Sequence, residues 1–254
     1  MRTLIVIPTY QEAANVAEVL GRTREAAPDA EILVVDDGSP DGTADLVERL
    51  GGDMGGVHVL RRTTKSGLGT AYRAGFDWGL ERGFEAMVEM DADLQHDPAA
   101  VPGLLGGLDD GATSLVIGSR YVAGGTIPQW SWHRRALSRY GNRYAGFVLG
   151  LGVLDATSGF RAYRADVLAE LDASHFRAQG YAFQIETAYA VHRAGGHIIE
   201  IPIAFTERAR GQSKMSGRVV GEALVLVTWW AVRDRLLRRG RRRAGGRGRS
   251  GVAA

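Results

Sequence analysis

Along the first 120 residues, short continuous apolar runs alternate with stretches of helical spacing. The runs are Thr3–Pro8, Glu31–Val35, Val57–Leu60, Ala86–Met90 and Ser114–Ile117. Their length and lack of polar alternation predict strands covered on both faces. Between them, Glu12–Glu25, Thr43–Leu50, Gly67–Arg82 and Ala99–Leu108 carry the helical period. Asp41-Gly42-Thr43 and Asp97-Pro98 supply helix-start chemistry, with Asp41 read as a turn or capping residue. The alternation predicts an α/β fold: a mostly parallel sheet with helices on both faces. In such sheets, ligands bind beyond the carboxyl ends of the strands.

After residue 120 the pattern changes. A glycine-rich turn, Ala123-Gly124-Gly125, leads to Trp130, Trp132 and Arg134-Arg135. Helices are predicted over His133–Leu149, Tyr181–Ala194 and about Gly217–Arg238, and a strand over His197–Ile203. In the last helix the densest apolar stretch is Ala223–Val232, broken only by Thr228. Ten residues at ~1.5 Å each reach ~15 Å, half of a ~30 Å hydrocarbon core, so this stretch does not span a membrane alone. Two tryptophans followed by an arginine run read either as a helix in the interface of an anionic membrane or as a packed helix with a solubilising tail.

Charge sharpens that choice. The net charge of +2 is an average over two unlike parts. Residues 233–254 hold nine arginines against the single acid Asp234, while the rest carries 22 basic and 28 acidic residues. An acidic body with a basic tail points to a polyanionic partner. No nucleic-acid module accompanies the tail, so a nucleic-acid partner is not expected. The first apolar run is too short for a secretory signal, so the expected compartment is the cytoplasm. With 45% hydrophobic residues, disorder is excluded as the main state. The chain has no cysteine, which excludes disulfides, thiolate zinc sites and a cysteine nucleophile.

The candidate chemistry is acidic. Asp91-Ala92-Asp93 follows the run Ala86–Met90, and Gln95 continues the spacing. On an extended backbone, residues two apart point the same way, so these three would present oxygens on one side. That set suits Mg2+ or Mn2+ held by few protein ligands plus substrate phosphates. Asp36-Asp37 at the end of the second run forms another acidic tip, fit to accept hydrogen bonds from a base or ribose, or simply to make a turn. His96 and His175 read as turn or surface residues. No glycine-rich dinucleotide fingerprint, P-loop, nucleophile elbow or HExxH motif is present.

Taken in order, Pro8-x-Tyr10-x-Glu12, Val35-Asp36-Asp37-Gly38-Ser39-x-Asp41-Gly42-Thr43, Lys65-x-Gly67-Leu68-Gly69 and Asp91-Ala92-Asp93-x-Gln95-His96 resemble family 2 glycosyltransferases of the GT-A fold. Gly118-Ser119-Arg120-Tyr121, Ser158-Gly159-Phe160-Arg161, Gly180-Tyr181-x-Phe183-Gln184-x-Glu186 and Arg208-x-x-Gly211-x-Ser213-Lys214 resemble the polyprenyl-phosphate (dolichol-phosphate) mannose synthase group. The resemblance covers about residues 3–216. It implies a metal-dependent, inverting transfer of mannose from GDP-mannose to a polyprenyl phosphate.

By position, it implies that Pro8, Tyr10, Glu12, Val35 and Asp37 hold the guanosine part of the donor, with Asp36 and Lys65 also in the donor site. It implies that Asp91, Asp93 and Gln95, with Ala92 between them, hold the metal and the diphosphate. Arg120, Arg208 and Lys214 would contact donor phosphates or the transferred sugar, with Asp93 and Arg120 nearest the chemistry. Arg134 and Ser138 would meet the acceptor phosphate. A phosphate monoester has a second pKa of about 6, so it is a nucleophile at neutral pH without a general base. Two alternatives stand beside this: transfer of glucose or another sugar from a UDP-sugar, and a non-catalytic nucleotide-binding or membrane-scaffolding module. The expected organisation is a catalytic domain over 1–216, a helix over 217–239 and an Arg/Gly-rich disordered tail over 240–254. The expected site of work is the cytoplasmic face of a membrane, held peripherally, with a membrane-protein partner as the alternative anchor.

Overall fold

The computed structural model describes residues 1–171, 176, 178–206, 221 and 223–234. Seven strands form one sheet: β1 (Thr3–Thr9), β2 (Glu31–Asp36), β3 (Val57–Arg61), β4 (Ala86–Glu89), β5 (Thr113–Ser119), β6 (Arg161–Arg164) and β7 (His197–Pro202). Their spatial order is β3-β2-β1-β4-β6-β5-β7. All pairings are parallel except those of β6, which runs antiparallel between β4 and β5. The helices are α1 (Val16–Ala26), α2 (Thr43–Met54), α3 (Leu68–Leu80), α4 (Val101–Gly106), α5 (Trp132–Leu149), α6 (Ala165–Leu171) and α7 (Gly180–Arg193). Residues 223–234 are also helical.

The continuous apolar text has the predicted cause. Leu4, Ile5, Val6 and Ile7 of β1 are all fully buried, and they divide by parity between two core clusters on opposite faces of the sheet. Each such side chain contributes roughly 1.5–3 kcal/mol of burial. Helix α3 lies directly on β1. A Cβ at Gly75 would come 2.4 Å from Val6 Cγ1, so only glycine permits that approach.

The helix-start chemistry also holds. Asp97 accepts the Ala99 N–H and caps the short 3-10 turn Pro98–Ala100. Asp41 accepts from the backbone and hydroxyl of Thr43 and from the Ala13 N–H. Strand β6 and helix α6 were not legible in the sequence. The outcome places the carboxyl ends of β1, β2 and β4 side by side, and their loops build the site.

Candidate active site

A cleft of about 340 Å³ opens at those strand ends. Its floor is the turn after β4. Asp91, Ala92, Asp93 and Gln95 all line it, but not on an extended backbone as expected. Leu94 adopts a left-handed conformation (φ 61°), which folds residues 92–95 into a tight turn. The Asp93 carboxylate closes the turn by accepting the Gln95 N–H at 3.1 Å. The Gln95 amide donates to the Thr206 carbonyl. Below them, the Asp91 N–H donates to His96 Nδ1 at 3.3 Å, and the Tyr72 hydroxyl donates to Asp91 Oδ1 at 3.2 Å.

His96 is therefore neither a surface residue nor a simple turn residue. It is buried, stacked on Phe160, and its pKa is pushed down to about 4 by burial, against the pull of Asp93. A neutral imidazole can accept a backbone N–H, which an imidazolium cannot. His96 thus supports the acidic turn from beneath.

Beside Asp91 the wall is Gly159. A Cβ there would meet Gln184 Nε2 at 3.4 Å and Asp91 Oδ2 at 3.8 Å. Glycine keeps that space open between a carboxylate and an amide. Gln184 is 2% exposed, and neither of its amide atoms makes a hydrogen bond of proper geometry. Glu89, beneath it on β4, is likewise buried, and its pKa is raised to about 7 by desolvation.

The residues expected to serve the nucleoside come from the end of β1 and from the loops after β1, β2 and β3. Pro8, Tyr10, Glu12, Asp37 and Lys65 all reach the cleft. Lys65 Nζ sits 3.9 Å over the Tyr10 ring. Asp37 pairs with Arg62 at 3.1 Å and accepts the Ser66 N–H. Two expected members stand back. Val35 is fully buried in the core, and Asp36 accepts from Thr9 Oγ1, Ser39 N and Ser39 Oγ, so it shapes the loop and does not face the cleft. Arg208 and Lys214 lie outside the described residues.

Arg120 also departs from expectation. It faces a second, apolar cavity of about 70 Å³, adjoining the cleft across Trp130, Thr157 and Tyr181. Its guanidinium is buried and held in a fork by Asp155, at 2.7 and 2.6 Å, with a further bond to Thr157 Oγ1. Burial works against both charges, and each partner outweighs that cost for the other. Its charge is already balanced, so contact with the donor phosphates is not what this geometry offers. Removing one member of a buried pair leaves an uncompensated charge. Asp155→Ala is therefore expected to cost about 3–5 kcal/mol of stability. Urea titration measures it, and a loss below about 1 kcal/mol would contradict the buried-pair reading.

The two residues expected at the acceptor separate. Arg134 lines the cleft with its guanidinium 3.9 Å over the Trp130 ring. Ser138 lines the apolar cavity and accepts from the Tyr121 hydroxyl at 2.6 Å. Missed by sequence reading was Asn142 of α5. It grips the shared wall, donating to Thr157 Oγ1 and accepting the Thr157 N–H, both near 3 Å.

The sequence profile described as Glycosyl transferase family 2 matches residues 4–172. The chain belongs to that family. This family 2 glycosyltransferase is 50% identical to the polyprenol monophosphomannose synthase of Mycolicibacterium smegmatis, over 92% of this chain and 89% of the relative. It is 48% identical to the undecaprenyl-phosphate mannosyltransferase of Micrococcus luteus, over 92% and 96% respectively. Its fold is shared by a mannosyltransferase from Pyrobaculum calidifontis solved with GDP-Man and Mn2+, at TM-score 0.64 and 20% identity, covering 91% of this chain and 64% of that one. The GT-A arrangement expected of the family 2 glycosyltransferase is thus the one observed.

Proposed function

We propose that the chain transfers mannose from GDP-mannose to a polyprenyl monophosphate, with inversion, giving polyprenyl phosphate mannose and GDP. The observation that carries this reading is the pairing of an acidic cleft with an apolar cavity across one shared wall. A nucleotide sugar suits the first, and an isoprenoid chain suits the second. The names of the two bacterial relatives support the same donor sugar and acceptor class.

Asp91, Asp93 and Gln95 would hold Mg2+ or Mn2+. Among the described residues, no three acidic or histidine side chains converge; the donor set proposed is two carboxylates and one amide oxygen. That set fits a hard cation that completes its shell with water and phosphate oxygens. Bound there, the cation neutralises charge that develops on the leaving diphosphate. Tyr10 and Lys65 flank the base, and Glu12 and Asp37 offer acceptors to the nucleoside.

An acceptor phosphate oxygen attacks the anomeric carbon from the face opposite GDP. The new C–O bond forms as the bond to the β-phosphate oxygen breaks, and its electron pair leaves with GDP. No proton moves, because the acceptor is already a dianion near neutral pH. Among the described residues neither lining contains a histidine, and of the cleft carboxylates Asp91 and Asp93 are assigned to the metal and Glu12 and Asp37 to the nucleoside. Arg134 supplies the positive charge that lets two anions approach. The enzyme works peripherally at the cytoplasmic face of the membrane. No helix among the described residues is long and apolar enough to cross it. The test compares a polyprenyl monophosphate with its free polyprenol as acceptor: product is expected only from the phosphate, and equal product from the alcohol would overturn the base-free reading.

A further inference from the structure

Two arginines stand at the wall between the cleft and the apolar cavity, and they are held in different ways. Arg120, on the cavity side, is forked by the Asp155 carboxylate, which neutralises it. The side chain of Arg134, on the cleft side, makes no ion pair and no hydrogen bond among the described residues, and its buried Nε–H has no acceptor. A ring takes the place of those partners. The Arg134 guanidinium carbon lies 3.9 Å from the centre of the Trp130 ring, against 5.6 Å for that of Arg120.

The ring is itself fixed. Trp130 is 5% exposed and packs edge-to-face with Phe205, their ring centres 5.7 Å apart. Ile127 completes that small cluster. From the first turn of α5, the Arg135 guanidinium donates to the Trp130 carbonyl at 3.1 Å and pins the backbone beneath the ring. The indole N–H is buried without an acceptor, so no hydrogen bond within the protein orients it. Trp130 is held by its backbone and its packing, and its face is what it offers to Arg134.

The manner of holding has a chemical consequence. A carboxylate beside Arg134 would cancel its charge and occupy its N–H fork, as Asp155 does for Arg120. An aromatic face attracts a guanidinium through the ring quadrupole and supplies no acceptor atom for its N–H groups. An arginine seated this way keeps its charge and its planar fork for an anion that arrives later. Position adds the rest. Trp130 lines both the cleft and the apolar cavity, so the seated charge stands where the phosphate of a lipid in the cavity would reach the cleft.

We propose that Trp130 is a positioning residue for the acceptor phosphate: its ring seats the Arg134 guanidinium, charged and with its donors open, at the junction of cleft and cavity. The proposal deepens the glycosyl-transfer reading and rests on it for the lipid phosphate that Arg134 meets. The seat itself rests on the ring contact, the absence of an anionic partner among the described residues and the place of Trp130 in both linings.

The test is calorimetric binding of farnesyl phosphate to the full chain without donor, with farnesol as the control. Site-specific replacement of Trp130 by a series of ring-fluorinated tryptophans withdraws electron density from the ring face with little change of shape. Affinity for farnesyl phosphate is expected to fall stepwise along the series, by about ten-fold at its end, while farnesol binding stays within about two-fold. Trp130→Leu/Arg134→Ala should bind the phosphate no more weakly than Arg134→Ala alone, because the ring acts through the arginine. Unchanged affinity along the series would overturn the seat. A rise would overturn it too, since fluorine makes the indole N–H a stronger donor and the phosphate would then be held by that N–H directly. Equal losses for farnesol would reduce Trp130 to a wall of the apolar cavity. A wild type that binds the phosphate no better than the alcohol would remove the acceptor assignment and the seat with it. The expected pattern in a chain that transfers no mannose would refute the reaction and spare the seat.

Discussion

Asp93→Asn is expected to lower turnover about a thousand-fold while leaving the fold intact. Its carboxylate sits on the cleft floor and accepts the Gln95 N–H. The asparagine side chain keeps a carbonyl for that bond, so the turn survives. What it loses is the negative charge proposed to face the divalent cation. Metal neutralisation of a leaving diphosphate is worth several kcal/mol, and each ~1.4 kcal/mol is a factor of ten. The same variant should lose the Mg2+ dependence of GDP binding, measured by calorimetry with and without the ion. Turnover within ten-fold of wild type would place the metal elsewhere.

Arg134→Ala is the second large effect. kcat/KM for the polyprenyl phosphate is expected to fall about a hundred-fold or more, since a charge-assisted bond to phosphate contributes roughly 2–3 kcal/mol. GDP-mannose affinity should stay within about two-fold, since under the proposed reading the nucleoside is held by Tyr10, Glu12 and Asp37, other residues of the cleft lining. Arg134→Lys should recover part of the loss, as a point charge without the fork. Equal losses for donor and acceptor would show that the residue only supports Trp130 beneath it.

Much of this was legible because each signal was local. β1, β2 and β4 announced themselves through unbroken apolar text, which both-face burial requires. Tyr10, Glu12, Asp37, Lys65, Asp91 and Asp93 sat at strand ends, where the fold class directs ligands, and all reach the cleft. What failed was non-local. β6 is four residues, Arg-Ala-Tyr-Arg, and hydropathy does not find it. Its Arg161 is fully buried because the Ala156, Ser158 and Gln184 carbonyls satisfy its guanidinium. Arg120 read as a free phosphate clamp because its partner lies 35 residues on. The acidic turn was pictured as extended because nothing local in Leu94 signals a positive φ. The two neighbouring tryptophans divide: Trp130 is buried in the shared wall, and Trp132 is exposed at the start of α5.

The account turns on which sugar moves and onto what. Incubation with radiolabelled GDP-mannose, a polyprenyl monophosphate and Mg2+ or Mn2+, beside a parallel reaction with radiolabelled UDP-glucose, measures this directly in the organic extract. The account predicts label in the lipid phase from GDP-mannose, dependent on both the metal and the acceptor phosphate. Label from UDP-glucose alone, or from neither donor, would contradict it.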